Sequence, residues 1–355
     1  MVKKHDYDLV FLYSENCRRK IRELSQALKK SSQRLKYSIS TLEKEQIIKQ
    51  PYCIFDYSYF GLILFRVYFK GGYIGEKDKA RIITELHENR YITSIYELSG
   101  EYDLAIEMLS PNPSRFNKEL KKITDLFPTM NNHKIILNLV TYIYPPLLLL
   151  KNQELGKMAR SHVLIGGDRP REELDKNEMM IIKNLLENPK IRFTHLAVKS
   201  KMNVKTAKSI MKKLKKRKII RGFKYSTDTN KLELNKYRLF LKLHNLSQER
   251  ETHLKGFLQM TKEVITTNKT VGDWDMEIDI ESPSKIKTRS LIVKIREDFK
   301  DIIENFNMME FYDTYKKTFL PRYLFEEEDW IKDIIKKKSR KESQTAAQAA
   351  LEEGR

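Results

Sequence analysis

Residues 188–227 read NPKIRFTHLAVKSKMNVKTAKSIMKKLKKRKIIRGFKYST and contain no aspartate or glutamate. Phe193, Leu196 and Ala197 suit a short helix beginning near Thr194, a candidate N-cap, and Ser200 to Asn203 makes the turn that follows. A longer helix then runs from about Val204 to Lys218, with Ala207, Ile210, Met211 and Leu214 on its inner face. Upstream, Leu174, Ile181, Ile182 and Leu185 are spaced for another helix, which Asn188-Pro189 ends. Ile219-Ile220 close the stretch and lead into a strand or wing. A short helix, a tight turn and a second helix on a three-helix core is the helix-turn-helix plan.

Working outward, the missing acids are part of a wider imbalance. The chain has 355 residues, with 68 Lys+Arg against 48 Asp+Glu, a net +20. Residues 1–50 carry +6 and residues 175–225 carry +13, which leaves +1 for everything else. A lysine-favouring codon bias would spread charge evenly and would not clear acids from chosen blocks. An anionic partner explains both, and nucleic acid comes first. A hydrophobic fraction of 40% with 10% aromatics excludes general disorder. Cys17 and Cys53 are too few for a disulfide scaffold and read as buried small hydrophobes. The opening Val2 to Asp6 is charged, unlike a secretory leader, and the most apolar stretch, Tyr59 to Phe69, is interrupted by Arg66 and is too short to span a bilayer. The expectation is a soluble, cytoplasmic protein with no membrane partner.

The two basic blocks superpose at an offset of 172: Leu24 falls on Leu196, Ile39 on Met211, Leu42 on Leu214, and Ile47-Ile48 on Ile219-Ile220. The same offset aligns Gly100 to Asp103 with Gly272 to Asp275, and Ser110-Pro111 with Ser282-Pro283. Near the end the register slips by four, so Tyr144-Pro145 matches Leu320-Pro321. The chain is a tandem duplication of a basic module and a charge-balanced one. In the first balanced module, strands at Leu62 to Phe69, Ile92 to Leu98, Leu104 to Leu109 and Lys134 to Tyr144 alternate with helices at Lys77 to Glu88 and Arg115 to Leu126. The second repeats this from Tyr237 to Phe319. A βαββαβ order gives a small antiparallel sheet with helices on one face, the ferredoxin-like plan. Ile63, Phe65, Val67, Ile106 and Met108 predict that the other face is also covered, most simply by the sister sheet.

The segments LDKNEMMIIKNLLENPKIRFTHLA, LSGEYDLAIEM and VGDWDMEIDIE, with the Tyr-rich strand ending at Leu320-Pro321, resemble the Lrp/AsnC family of prokaryotic transcription regulators, here as two fused copies. The resemblance covers roughly residues 2–146 and 172–322, and HVLIGGDRPREE between them looks like a strand-plus-linker of archaeal relatives. The first copy keeps only one acid in its opening, Asp6. The implied architecture is α+β: two winged helix-turn-helix domains at 1–55 and 174–228, two RAM-type ferredoxin-like domains at 56–146 and 229–325, a linker at 147–173 and a charged tail at 326–355. The family pairs two chains through RAM sheets, and the fusion implies an intrachain pseudo-dimer with half-sites about one helical turn apart. Further self-association through the RAM domains is a further implication.

The expected partner is double-stranded DNA. In the second copy the candidate contacts are Lys205, Thr206, Lys208, Ser209, Lys212, Lys213, Arg217 and Arg221, whose charges yield affinity more than sequence choice. In the first copy Gln33, Arg34, Lys36, Tyr37 and Ser40 include the Gln and Arg side chains suited to reading bases. Gly100, Asp103, Gly272 and Asp275 read first as hairpin turn chemistry, while the family resemblance places an amino-acid-like effector beside those hairpins. No catalytic, metal or cofactor residue is expected, because the seven histidines are scattered and no phosphate-binding glycine loop is present. Two alternatives stay open. One is an architectural DNA- or RNA-binding protein without sequence preference. The other is an enzyme like the sirohaem decarboxylases, which resemble paired Lrp/AsnC units and would need a tetrapyrrole cleft walled by His and Arg.

Overall fold

The computed structural model describes residues 5–71, 75–158 and 162–326. The tail beyond Glu326 lies outside the described residues. The first basic module is α1 (Tyr7–Ser14), α2 (Ile21–Leu28), α3 (Ser32–Lys44) and strand β1 (Ile48–Phe55). Asp6 and Ser31 cap α1 and α3 by accepting from the N–H groups of Leu9 and Arg34. A βαββαβ unit follows: β2 (Ile63–Phe69), α4 (Glu76–Glu88), β3 (Ile92–Ser99), β4 (Leu104–Ser110), α5 (Pro113–Leu126) and β5 (His133–Ile143). After a connecting strand, β6 (Val163–Gly166), the second basic module is α6 (Lys176–Glu187), α7 (Phe193–Lys199), α8 (Val204–Lys216) and β7 (Ile220–Thr227). The second βαββαβ unit is β8 (Asn235–Leu243), α9 (Gln248–Met260), β9 (Val264–Val271), β10 (Met276–Ser282), α10 (Lys285–Asp298) and β11 (Ile303–Lys317). Helix α7 starts one residue before Thr194 with no side-chain cap, whereas Asp175 and Glu178 form a full capping box on α6.

The offset of 172 is written into the backbone. Residues with positive φ recur in pairs at that spacing: Lys29 and Lys201 in the helix-turn-helix turns, Gln46 and Lys218 after the third helices, Gly61 and Glu233, Gly100 and Gly272. A left-handed conformation is unfavourable for a residue bearing Cβ, so its recurrence at lysine, glutamine and glutamate marks repeated chain geometry, not repeated residue type.

Each four-stranded set has the same order, β5-β2-β4-β3 and β11-β8-β10-β9. β3 pairs antiparallel with β11, and β9 with β5, so the eight strands close into a ring without a free edge. The prediction about sheet faces is corrected here. Phe65, Val67, Ile106 and Met108 point to the helices, where Phe65 stacks on Phe116 of α5 at 4.0 Å between ring centroids. Strand residues alternate faces, so the face that meets the sister sheet carries Arg66, Tyr68, Ala105 and Glu107 instead. The sister sheet is indeed the cover, but over a polar layer.

The wings also differ from expectation. The strand after each third helix does not fold back beside its own module. β1 and β7 pair with each other in an antiparallel ribbon, with Tyr52 opposite Lys224 and Cys53 opposite Phe223. A lone strand leaves its N–H and C=O groups without ladder partners, and the sister strand supplies them. Around the ribbon Tyr13 and Tyr225 share a hydroxyl hydrogen bond at 2.7 Å, and the Arg18 guanidinium donates to the carbonyls of Pro189 and Ile191. The two basic modules are therefore packed as one body.

Candidate nucleic-acid interface

Helix α8 is positioned by its apolar face. Asn203 caps it by accepting from the Thr206 N–H at 2.7 Å, and Ala207, Met211 and Leu214 are buried against the module's core. That leaves Lys205, Lys208, Ser209, Lys212 and Lys213 exposed, with Thr206 half-buried. Among the described residues no carboxylate forms an ion pair with Lys205, Lys208 or Lys212. On α3 the buried stripe is Leu35, Ile39 and Leu42, and Gln33, Arg34, Lys36, Tyr37 and Ser40 are exposed, Tyr37 to 77%. A phenol ring held in water on a polar helix face buries nothing in the protein and is free to meet another surface.

Arg217 is a correction. Its guanidinium donates to Glu178 at 2.8 Å, to the carbonyl of Glu173 at 3.0 Å and to Glu172, which ties the end of α8 to the linker and to α6. Lys213 also reaches Glu178, at 2.9 Å. Burial alone would raise the Glu178 carboxyl, but Lys213, the Asp175 backbone N–H and Arg217 hold it below the ordinary carboxylate value. The reason Arg217 leaves the contact face is this buried acid on α6, which an exposed cation on the same module neutralises. Arg221 sits half-buried on β7 rather than on the helix face.

The hairpin residues fulfil the turn role. Asp103 accepts from the Gly71 N–H at 2.5 Å and Asp275 from the Leu243 N–H at 2.8 Å, bonds related by the repeat offset. Each hairpin packs on the other unit: a Cβ on Gly100 would lie 3.4 Å from the Met309 side chain, and one on Gly272 only 3.2 Å from the Ile135 carbonyl oxygen. Gly272→Val should therefore destabilise the ring by about 1–3 kcal/mol, through both its φ of +142° and this contact. Urea unfolding of the variant measures it, and an unchanged midpoint would contradict the packing described.

A second polar constellation, which sequence reasoning missed, lies between the two sheets. The Arg66 guanidinium donates to Glu107 (2.8 Å), Glu277 (2.5 Å), Asn138 (3.0 Å) and Asn268 (3.0 Å). Arg238, its repeat equivalent, grips Asp279 at 2.6 and 2.9 Å and donates to the Tyr68 hydroxyl at 2.8 Å, which itself donates to Glu277 at 2.8 Å. Burial would raise Asp279, and Arg238 holds it well below its ordinary value instead. Its signal was present as single charges in apolar strands, Arg66 in LILFRVYF and Arg238 in YRLFL. Fully partnered, these groups offer neither a base nor a nucleophile. Among the described residues no group of three or more His, Cys, Asp and Glu side chains is placed to hold a metal ion, and no helix is long and apolar enough to cross a membrane.

No protein-family model matches the chain. Over 106 residues, 30% of this chain and 70% of the relative, it is 31% identical to an uncharacterised HTH-type transcriptional regulator, PH0061, of Pyrococcus horikoshii. Among solved structures, the sirohaem decarboxylase NirDL is similar over 94% of this chain and 99% of its own, with a TM-score of 0.56 at 12% identity. That likeness concerns the fold alone. An AsnC family transcriptional regulator from Agrobacterium tumefaciens matches 43% of this chain and all of its own, with a TM-score of 0.38 and 16% identity. With the helix-turn-helix modules, the repeated βαββαβ units and this sequence relationship together, the chain belongs to the Lrp/AsnC family of helix-turn-helix transcriptional regulators.

Proposed function

We propose that the protein is a cytoplasmic, sequence-specific regulator that binds duplex DNA through α3 and α8, and that the closed ring makes one chain do the work of a paired dimer. The observation that carries this is the outer face of α8, where Lys205, Lys208 and Lys212 stand exposed in an acid-free segment with no ion-pair partner among the described residues. Charges kept free of internal partners are available to displace counterions from phosphate. In this reading α8 supplies affinity, and Gln33, Arg34, Lys36, Tyr37 and Ser40 on α3 supply more of the selectivity, since Arg and Gln pair bidentately with guanine and adenine edges. An amino-acid-like effector at the Gly100 to Asp103 and Gly272 to Asp275 hairpins, and self-association of rings through their RAM units, complete the proposal.

The test is a salt titration of duplex binding. Log affinity should fall linearly with log salt, by about 0.9 per phosphate neutralised. Salt-independent binding would sink the proposal. Adding a haem-type tetrapyrrole to the purified chain should leave its absorption spectrum unshifted, and a shift would favour the decarboxylase reading instead.

A further inference from the structure

A cleft of about 250 Å³ opens between the β1–β7 ribbon and the end of the strand ring. Tyr52, Ile143, Thr266, Asp279 and Lys317 line both this cleft and an inner cavity of about 70 Å³ that reaches Arg66 and Glu107. None of the α3 or α8 candidate residues lines it, and neither does any histidine among the described residues. Its volume is just below the range of about 300–1,000 Å³ usual for drug-sized ligands, so an occupant must be small.

The charge balance inside is unusual. Lys224 is neutralised by Glu15 at 2.6 Å and Asp279 by Arg238. Lys236 and Lys317 have no carboxylate in ion-pair range among the described residues. Their ammonium groups instead sit over rings, Lys236 at 4.6 Å from the Phe311 centroid and Lys317 at 5.3 Å from that of Tyr52. Burial and the Lys236 ammonium push Lys317 down to about 8, with Glu107 and Asp279 opposing and Lys224 adding to the fall. The Tyr52 ring in turn stacks on Phe319 at 5.7 Å.

We propose that this cleft binds a small aromatic carboxylate, its anionic group held between Lys236 and Lys317 and its ring against Tyr52 and Phe311. An anion supplies the partner that the two ammonium groups lack, and the aromatic walls favour a flat apolar body over an aliphatic one. Asp279 and Glu281, also on the wall, repel a second or third negative charge, which selects a monoanion over a polyanion. The site is separate from the hairpins, and its occupancy is read without DNA, so it stands or falls independently of the DNA-binding proposal.

The experiment is isothermal titration of the full chain at fixed ionic strength with benzoate, benzyl alcohol as the neutral match, and citrate. Benzoate should bind at least tenfold tighter than benzyl alcohol and citrate should not exceed it. The affinity for benzoate should fall as pH rises from 7 to 9 and Lys317 loses its proton. Lys236→Met with Lys317→Met should abolish benzoate binding while circular dichroism stays unchanged, and Lys317→Arg should retain it. Equal binding of benzoate and benzyl alcohol, preference for citrate, or undiminished binding by the folded double variant would overturn the proposal.

Discussion

Replacing Arg66 with methionine will destabilise the protein by about 3–5 kcal/mol, the usual consequence of removing one partner from a buried ion pair. Arg66 is 4% exposed, and its partners come from both halves of the chain: Glu107 and Asn138 from the first unit, Glu277 and Asn268 from the second. Methionine fills most of the space but leaves Glu277, fully buried, and Glu107 short of their main cation. The pH dependence distinguishes this cause from poor packing. In the intact protein burial would raise the Glu107 carboxyl, but Arg66, then Ser94 and Arg238, hold it below its ordinary value. Its contribution to stability is therefore present above the unfolded carboxylate value, near pH 4, and is lost as pH falls through the folded one. In the variant the sign reverses: burial dominates, the folded carboxyl rises, and protonation relieves the strain. The stability gap between the two proteins should shrink as pH is lowered from 7 toward 5, read by urea unfolding at each pH. A gap that is constant with pH would assign the loss to packing.

Reversing two charges on α8, Lys208→Glu with Lys212→Glu, will weaken duplex DNA binding by about 1–3 kcal/mol per lost contact. Both side chains are exposed and unpaired among the described residues, so the fold loses nothing by the change and thermal stability should hold. The loss should be nearly uniform across DNA sequences, since ammonium groups meet phosphates. Gln33→Ala with Arg34→Ala on α3 is the contrasting pair: a smaller loss in overall affinity with a change in preferred sequence. The same charge reversal at Arg217 should behave differently again. Arg217 is bound to Glu172 and Glu178, so Arg217→Glu should lower stability before it touches DNA affinity. Fluorescence anisotropy on matched and random duplexes, beside a melting curve, separates the three cases.

The helices and strands were legible in the sequence because their apolar spacing is regular. The third helix of the second module begins at Val204, where the spacing puts it, and β2, β3 and β4 end within a residue of their expected limits. What failed was anything settled by a distant partner. The stretch Ile63 to Phe69 is apolar at nearly every position, so periodicity could not say which face held the helices. Arg66 decides it, but only once Glu277, 211 residues away, is seen to reach it. The ribbon of β1 and β7 was hidden for the same reason: each strand looks like a wing, and only the duplicated partner shows that they pair. On the contact face, exposure of Lys208 and Lys212 follows from helical period alone. The loss of Arg217 from that face depends on Glu172, in the linker, and Glu178, on another helix.

The account's central claim is that two unlike helix faces, built by one duplicated chain, read DNA together. Selection of bound fragments from a pool of random duplexes tests it most directly. The predicted result is a two-part motif with unequal halves, their centres about one helical turn apart, with the better-defined half blurred by Gln33→Ala and Arg34→Ala. Recovery of no motif, with binding equal on all fragments, would contradict the claim and leave a protein that coats nucleic acid by charge alone.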